Sequence, residues 1–533
     1  MHVASKTLFQ SASSKPPVAD TTNDAGGVAY SRSAKEALTQ YALTGCFGDT
    51  YYTSAQAQLD KVLELAKVVG TECPDYVAKL AVYSRTKGFM KDMPAILLAS
   101  ISQPENKELL QHAFSHVIDN GKMLRNYVQI LRSGVTGRKS LGTLPKRLIT
   151  DWILMESSYG IVRASVGNQP SLADIIKMVH PKPQSRQQAA LFSWVIGKEK
   201  PEDWEVMPEL VKQLRAFRAD PTAEQPDVPF ELLTSTKLTP QHWKQIAKKA
   251  GWQMLRMNLN TFLRNNVFAD QEMVQIIADR LQDKELMGRA RPFPYQCLTS
   301  FMYVDGAVPM AIKIALQKIL DVSLENIPTI PGQTYLFLDV SGSMGSPITG
   351  VRAGATSKIT CTHVAAMIAA ALLKRNPETI VLPFDTQLYR VRLNPLDSIA
   401  TMTETLAKYG GGGTRCGLPM KWLKESGKNV DSVIYVSDNE SWLDFISTRM
   451  LGNASNSATE AMAEWVEIKR RNKHAKLICI DLSPNRSVQA PSSSKDILNV
   501  GGFSDNVFTL LERFTKGEWS ADFWVKDVEA INL

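Results

Sequence analysis

The chain has 533 residues, of which 44% are hydrophobic and 21% are charged, with a formal net charge of +8. This composition is typical of a globular protein with several domains, and it excludes a mostly disordered chain. The charge is concentrated, because residues 121–186 hold eleven Lys or Arg and only three acidic residues. The net charge of that window, +8, equals the net charge of the whole chain.

The N-terminal residues and the cysteines favour a reducing compartment. Residues 1–30 are rich in Ser, Thr, Asp, Gly and Pro, which predicts a flexible segment with no signal-peptide core. The six cysteines are scattered and form no C-x-x-C pair. We therefore expect free thiols in the cytoplasm, with neither a disulfide framework nor a zinc site.

Residues 31–330 show helical periodicity with short breaks. Leu59, Val62, Leu63, Ala66 and Val69 form one apolar stripe, and further stripes follow down to about residue 320. Many consecutive helices with short connections predict stacked helix pairs, an α-solenoid of HEAT-like repeats. No exact sequence repeat supports this prediction, which depends on the order of elements alone.

The pattern changes after a proline-containing linker at residues 327–332. Short β-branched or aromatic runs then alternate with helical stretches. The predicted strands are 334–338, 379–384, 432–436 and 476–481, and the predicted helices are 359–375, 417–426, 459–472 and 506–514. This alternation predicts an α/β domain over residues 331–533, with a doubly wound, mostly parallel sheet.

A D-x-S-x-S motif directly follows the first predicted strand of that domain. It places Asp339, Ser341 and Ser343 at the carboxyl end of the strand, where ligands gather in doubly wound sheets. Thr414, after a run of four glycines, and Asp438, after another predicted strand, can join them. Two carboxylates and three hydroxyls are hard oxygen donors that suit Mg²⁺. The alternative is that the hydroxyls only cap a following helix.

These five residues fill every position of the metal-ion-dependent adhesion site that they resemble, the site of von Willebrand factor A domains. Such a site implies a divalent metal, most simply Mg²⁺, whose coordination is completed by an acidic group of a partner. The sequence near this motif shows no catalytic nucleophile paired with a general base. We therefore expect no catalytic residues and no enzyme.

The basic window suggests contacts to phosphate. Arg138, Lys139, Lys146 and Arg147 surround a turn, and Pro145 starts a helix whose free N–H groups also attract phosphate. Arg163, Lys177 and Lys182 follow within the same window. Such clusters give salt-dependent binding to nucleic acid, although a solvated helical face is the alternative.

Seven segments together resemble the Ro autoantigen (TROVE-domain) family, and the likeness covers nearly the whole chain from about residue 40. They are residues 47–52 (FGDTYY), 139–152, 171–182, 291–294, 339–344, 412–420 and 437–440. The short polar start looks like that of a bacterial member.

The resemblance implies a monomeric ring of helical repeats joined to an A-type domain. Family members bind small non-coding Y RNA on the outer face and thread single-stranded ends of misfolded RNA through the central hole. They act as scaffolds in RNA quality control, and an exoribonuclease is a plausible partner. Carried over by position, His180 and Lys177 match the family's RNA-binding face, as do the cations of residues 138–147, and Arg163 matches less clearly.

Two other functions stay open at this point. The A-type domain could instead be a metal-dependent interaction module that recruits an acidic protein, with the helices as scaffold. A metal-dependent hydrolase is a weaker alternative, because no general base is readable near the D-x-S-x-S loop.

Overall fold

The structure is a computed structural model, and the residues it describes are 16–44, 49–351, 359–440, 458–483, 485–492, 494–502, 506–517 and 523–533. Residues 1–15 of the predicted flexible segment, and Phe47 and Gly48 of the FGDTYY segment, lie outside these ranges. No helix in the described ranges has the length and apolar character needed to cross a membrane.

The chain forms two compact units. Unit 1 contains residues 1–65, 292–303 and 316–527, and unit 2 contains residues 66–291, 304–315 and 528–533. This division differs from the predicted boundaries at residues 30 and 330, because the first 65 residues belong with the C-terminal part of the chain.

Unit 2 is helical. Its helices follow one another with short connections, as the apolar periodicity predicted. They are α3 (Pro74–Thr86), α4 (Asp92–Ser100), α5 (Lys107–Val117), α6 (Gly121–Ser133), α7 (Thr143–Met155), α8 (Ser158–Ala164), α9 (Leu172–Val179), α10 (Arg186–Val195), α11 (Asp203–Val206), α12 (Glu209–Ala219), α13 (Pro240–Lys249), α14 (Trp252–Met257), α15 (Leu259–Arg264), α16 (Gln271–Gln282) and α17 (Lys284–Ala290). Three further helices, α2 (Ala55–Glu72), α18 (Pro294–Tyr303) and α19 (Met310–Val322), lie in or reach into unit 1.

Neighbouring helices in unit 2 pack in sequence. Helix α3 packs against α4 and α5, α4 packs against α6, and α9 packs against α6, α7 and α10. Side-chain caps set several of the helix starts: the Asn120 side chain accepts from two backbone N–H groups of α6, and Ser171 and Asp174 form a capping box on α9. The predicted helical-repeat architecture is confirmed.

The core of unit 1 is a parallel five-stranded sheet. Its strands are β3 (Thr334–Asp339), β4 (Ile380–Phe384), β5 (Ser432–Ser437), β6 (Lys476–Asp481) and β8 (Ile497–Gly501), in the order β4-β3-β5-β6-β8. All neighbouring pairs are parallel. Strands β3 and β5 are buried along their full length, as expected for a sheet covered on both faces.

Helices alternate with the strands of this sheet along the chain, and several of them pack against it. They are α20 (Cys361–Arg375), α21 (Ile399–Leu406), α22 (Gly417–Glu425), α23 (Glu460–Arg471), α24 (Asn506–Thr515) and α25 (Phe523–Glu529), with α1 (Ala34–Thr44) before the sheet in sequence. Alternate residues of β3, Tyr335 and Phe337, pack in one cluster with Met420 of α22 and Trp465 of α23. Burial of each such large side chain contributes about 1.5–3 kcal/mol. Helix α20 packs against β3, β4 and β5.

A small antiparallel sheet takes two of its three strands from the segment that we expected to be a flexible lead-in. It joins β1 (Thr21–Thr22), β2 (Val28–Ser31) and β7 (Ser487–Val488) in that order. A buried ion pair reinforces the connection, since Arg32 Nη2 lies 3.2 Å from Asp481 Oδ2 at the end of β6. Residues 16–44 are therefore integrated into unit 1.

Candidate metal centre and candidate RNA surface

The D-x-S-x-S loop leaves the carboxyl end of β3 and turns sharply around Asp339. That side chain is fully buried, and its Oδ1 accepts the Ser341 N–H at 2.9 Å. Its Oδ2 accepts the hydroxyl of Ser437, at the end of the neighbouring strand β5, at 2.6 Å. The Ser341 and Ser343 hydroxyl oxygens lie 3.2 Å apart. The local hydrogen bonds thus hold one carboxylate and two hydroxyls in the same buried space.

The glycine-rich loop is tied to the D-x-S-x-S loop by backbone hydrogen bonds. The Gly411 N–H donates to the Val340 carbonyl at 2.9 Å, and the Gly342 N–H donates to the Gly412 carbonyl at 2.8 Å. Gly410 has a φ of 104°, and a Cβ there would lie 1.8 Å from the Val340 oxygen. Only glycine permits this approach, which brings Thr414, itself buried, to the site.

Asp438 completes the predicted set from the end of β5. Its side chain is buried, and it interacts with the Ser343 hydroxyl and with the backbone N–H of Glu440. Burial, and then the charge of Asp438, raise the pKa of Asp339, and burial raises the pKa of Asp438. A cation bound between these two carboxylates would favour their charged forms.

All five predicted residues are therefore brought together at one edge of the sheet. Two of them, Ser343 and Asp438, line a cleft of about 20 Å³ together with Tyr52 and Glu440 among other residues. This volume holds one species of the size of a water molecule. Buried carboxylate and hydroxyl oxygens around such a space fit a single hard cation.

Tyr52 also lies at this site, although no sequence pattern predicted a role for it. Its half-buried side chain forms hydrogen bonds with Ser343 and Thr414, and burial together with the nearby Asp438 raises its pKa to about 12. A pair of backbone hydrogen bonds between Asp49 and Val351 holds this segment in place. The FGDTYY segment contributed to the family resemblance, but its residue spacing did not predict that Tyr52 lies at the site.

Two acidic side chains, Glu440 and Asp385, were also missed. Glu440 is buried and accepts the Ala25 N–H at 3.0 Å, and burial and neighbouring carboxylates raise its pKa well above the usual value. Asp385 follows β4 and accepts the Gly412 N–H at 3.1 Å and the Tyr389 hydroxyl at 2.9 Å. Asp385 therefore supports the glycine-rich loop from the other side.

The predicted RNA-binding residues lie in unit 2 on elements that pack together. Helix α9 packs against α6 and α7, and the electrostatic environment of Asp174 on α9 includes both Lys177 and Arg132 of α6. Seven of the predicted residues are exposed, and we call them the basic surface: Lys139, Lys146, Arg147, Arg163, Lys177, His180 and Lys182. Within the described part of the chain, none of the seven forms an ion pair with an acidic side chain.

Arg138 differs from the other predicted RNA-binding residues because it points inward. Its guanidinium donates to the Ser102 carbonyl and, at 3.3 Å, to the Leu141 carbonyl. It also lies against Gly142, where a Cβ would meet its Nη2. These contacts make Arg138 a structural support of the turn that carries Lys139.

His180 ends helix α9 in the left-handed region, with a φ of 52°. Its backbone N–H donates to the Ile176 carbonyl, while its side chain is exposed. The residue therefore caps the helix through its backbone and leaves its imidazole free for solvent or a ligand.

The strand order and the loops at the carboxyl edge of the sheet define unit 1 as a von Willebrand factor A-type domain. Residues 333–515 match the family model described as the Ro60 vWA domain. The predicted resemblance to the Ro autoantigen family is confirmed by this match and by the relatives below.

Two relatives of this chain are named RNA-binding protein RO60. The chain is 22% identical over 526 residues to the RNA-binding protein RO60 of Deinococcus radiodurans, covering 93% of this chain and 95% of the relative. It is 26% identical over 262 residues to the RNA-binding protein RO60 of Caenorhabditis elegans, covering 47% of this chain and 38% of the relative.

A solved structure shares the fold. The crystal structure of the Deinococcus radiodurans Ro (RSR) protein superimposes with a TM-score of 0.61 at 20% sequence identity. The match covers 91% of this chain and all of that chain. The fold class predicted from the sequence, helical repeats followed by an A-type domain, is confirmed.

Proposed function

We propose that this chain is a non-catalytic RNA-binding scaffold of the Ro type. The observation that carries the proposal is the basic surface, seven exposed cationic or imidazole side chains on neighbouring elements of unit 2 that form no ion pair with the described acidic residues. Relatives that match this chain are named RNA-binding proteins, which supports the same function. Clusters of unpaired cations release counterions from a phosphate backbone and so bind RNA.

The proposal extends to the RNA classes that the family resemblance implies. A small structured Y RNA occupies the basic surface on the outside of a monomeric ring of helices, and single-stranded ends of misfolded RNA enter the central hole. The protein then acts in the cytoplasm in RNA quality control, where it presents RNA to an exoribonuclease.

A charge-removal experiment tests the RNA assignment. The triple variant Lys139→Ala, Lys146→Ala, Arg147→Ala should bind a small hairpin RNA less tightly. The slope of log affinity against log salt should fall by about two to three, roughly one for each phosphate that a cation no longer neutralises. Filter binding at several salt concentrations measures both quantities.

The matched control removes three exposed lysines of the same unit that lie outside the basic surface. These are Lys237, Lys248 and Lys249. This control should leave affinity and salt slope close to those of the unchanged protein. Equal losses in both triple variants would mean that net charge, and not this surface, governs binding.

We propose that the site in unit 1 binds Mg²⁺ and that the bound ion recruits an acidic group of a protein partner. Asp339, Ser341, Ser343, Thr414 and Asp438 would hold the ion. The specific observation in favour is their convergence at one edge of the sheet, where Ser343 and Asp438 also line a cleft of about 20 Å³. The ion would supply an open coordination position for a carboxylate, a role that requires no catalytic base.

Calorimetric titration tests this second proposal. Asp339→Asn should abolish the heat of Mg²⁺ binding. The variant should also lose the capture of an exoribonuclease, and EDTA should cause the same loss in the unchanged protein. Asp397→Asn, an exposed carboxylate of the same unit, is the control and should bind Mg²⁺ normally. Mg²⁺ binding by Asp339→Asn that equals that of the unchanged protein would contradict the assignment.

A further inference from the structure

Unit 2 contains an open cavity of about 620 Å³ that the basic surface does not include. It lies where α10 ends and α11 and α12 begin, and it is lined by Trp194, Trp204, Lys200, Arg215 and Arg218 among other residues. The volume falls within the range of pockets that hold small organic ligands.

The two tryptophans give this cavity aromatic surface. Both side chains are only half-buried, and the Arg215 guanidinium carbon lies 4.1 Å from the centre of the Trp204 ring. Neither indole N–H donates a hydrogen bond to another side chain or backbone group in the described part of the chain. The two rings therefore present partly exposed aromatic surface and free N–H donors to the cavity.

The charged residues of the cavity are mostly cationic. Arg215 and Arg218 are exposed, as is Lys200, and Glu199 is the one acidic residue among the described residues of the lining. Over the ranges that the structure describes, none of the three cations forms an ion pair with an acidic side chain. The Arg218 guanidinium is positioned by a 3.0 Å hydrogen bond to the Leu232 carbonyl, which leaves other donors of its fork available.

We propose that this cavity binds one nucleotide of a single-stranded RNA. The base stacks on the indole and guanidinium planes of Trp194, Trp204 and Arg215, and the flanking phosphates are held by Lys200 and Arg218. Aromatic rings interleaved with cations bind single strands because every base has a π face and every linkage carries a charge. The inference rests on the proposed RNA-binding function and assigns single-stranded RNA to named residues outside the basic surface.

The two surfaces then discriminate between RNA forms. The basic surface supplies contacts to phosphate, which a helical RNA presents as well as a single strand. A stacking cavity requires a base that is not already stacked within a duplex, so it selects unpaired segments. Glu199 in the lining offers an acceptor for the exocyclic amino group of a base.

Fluorescence anisotropy with three probes tests the proposal. They are an oligouridylate of about ten nucleotides, which forms no secondary structure, an abasic strand of the same length, and a small hairpin RNA. Trp204→Ala and, separately, Arg215→Gln should weaken oligouridylate binding about tenfold or more. Both variants should leave hairpin binding unchanged. Trp204→Phe keeps a stacking ring and should restore most of the affinity.

The outcomes separate this proposal from the function on which it rests. Unchanged oligouridylate affinity in both variants, or equally tight binding of the abasic strand, overturns the stacking site. So does hairpin binding by the unchanged protein without any oligouridylate binding, although the RNA-binding function would then stand. Failure of the unchanged protein to bind any probe removes both. Thermal unfolding of each variant identifies a loss that comes from misfolding, and Arg215→Gln, an exposed change, then decides the result.

Discussion

Replacement of Gly410 by alanine should disable the metal centre from a position that donates no ligand. The added Cβ would lie 1.8 Å from the Val340 carbonyl oxygen, while real contacts of this kind are not shorter than 3.0 Å. The two loops must therefore separate by about 1.2 Å or more, the difference between these distances. This displacement is large enough to break the hydrogen bonds that join the loops.

The free-energy cost is the sum of two broken hydrogen bonds and the backbone strain at residue 410. The Gly411 N–H bond to Val340, at 2.9 Å, and the Gly342 N–H bond to Gly412, at 2.8 Å, are both broken. Each contributes about 1 kcal/mol, and an alanine held at the φ of Gly410 adds about 1 kcal/mol of backbone strain. We therefore expect a loss of about 3 kcal/mol in the free energy of unfolding, together with weaker Mg²⁺ binding because Thr414 moves away.

Gly411 supplies a matched control in the adjoining position. Its φ is 105°, nearly the same as that of Gly410, but a Cβ there would meet nothing within 4 Å. Gly411→Ala should thus cost only the backbone strain, about 1 kcal/mol, and keep Mg²⁺ binding. Urea unfolding and calorimetry on both variants measure the difference. Equal losses in the two would refute the argument that close approach, and not backbone conformation alone, holds the site together.

Three further substitutions separate structural from binding roles. Tyr52→Phe should weaken Mg²⁺ binding about tenfold in calorimetry, because the hydroxyls that it orients lose a partner, while Tyr51→Phe, at an exposed neighbour, should not. Arg138→Ala should lower the free energy of unfolding by about 2 kcal/mol in urea and leave the salt slope of RNA binding unchanged, and a reduced slope would show direct contact with RNA. Arg32→Met should cost about 3–5 kcal/mol of unfolding free energy, because it leaves the Asp481 carboxylate buried without its partner. Restored stability in the double variant Arg32→Met, Asp481→Leu would support this reason, and an equally low value would contradict it.

The convergence of the proposed metal ligands could be predicted from the sequence because most of them follow strands that are themselves easy to recognise. Asp339 and Asp438 each come directly after a short β-branched or aromatic run, and parallel strands end at a common edge. The prediction required only the strand order, which the right-handed crossovers of an α/β sheet restrict to a few possibilities.

Tyr52 could not be predicted in the same way. It precedes the D-x-S-x-S motif by almost 290 positions and approaches the site through the bridge between Asp49 and Val351, which is a tertiary contact. Helical or strand periodicity gives no information about such a contact. Strand β8 was missed for a local reason, since Ile497–Gly501 is short and contains Asn499, a residue that disfavours strands.

The basic window illustrates the limit of charge counting. Eleven cationic residues predicted a surface, and most of the residues singled out are exposed, but Arg138 hydrogen-bonds to backbone carbonyls. A count cannot separate a guanidinium that faces solvent from one that supports a turn. That distinction depends on Ser102, which is far along the chain and close only in the fold.

The small sheet of unit 1 has a consequence for synthesis on the ribosome. Strand β2 pairs with β7 through Tyr30 and Val488, so an early strand must wait for its partner until Val488 has been made. At typical translation rates the interval between these residues is about 20 to 90 s, long compared with the folding of a helical segment. Helices of unit 2 can form within that interval, whereas the A-type domain, with Tyr52 at its D-x-S-x-S loop, can be completed only after β7 has been made. The order of translation therefore lets the helices of unit 2 assemble before the proposed metal centre.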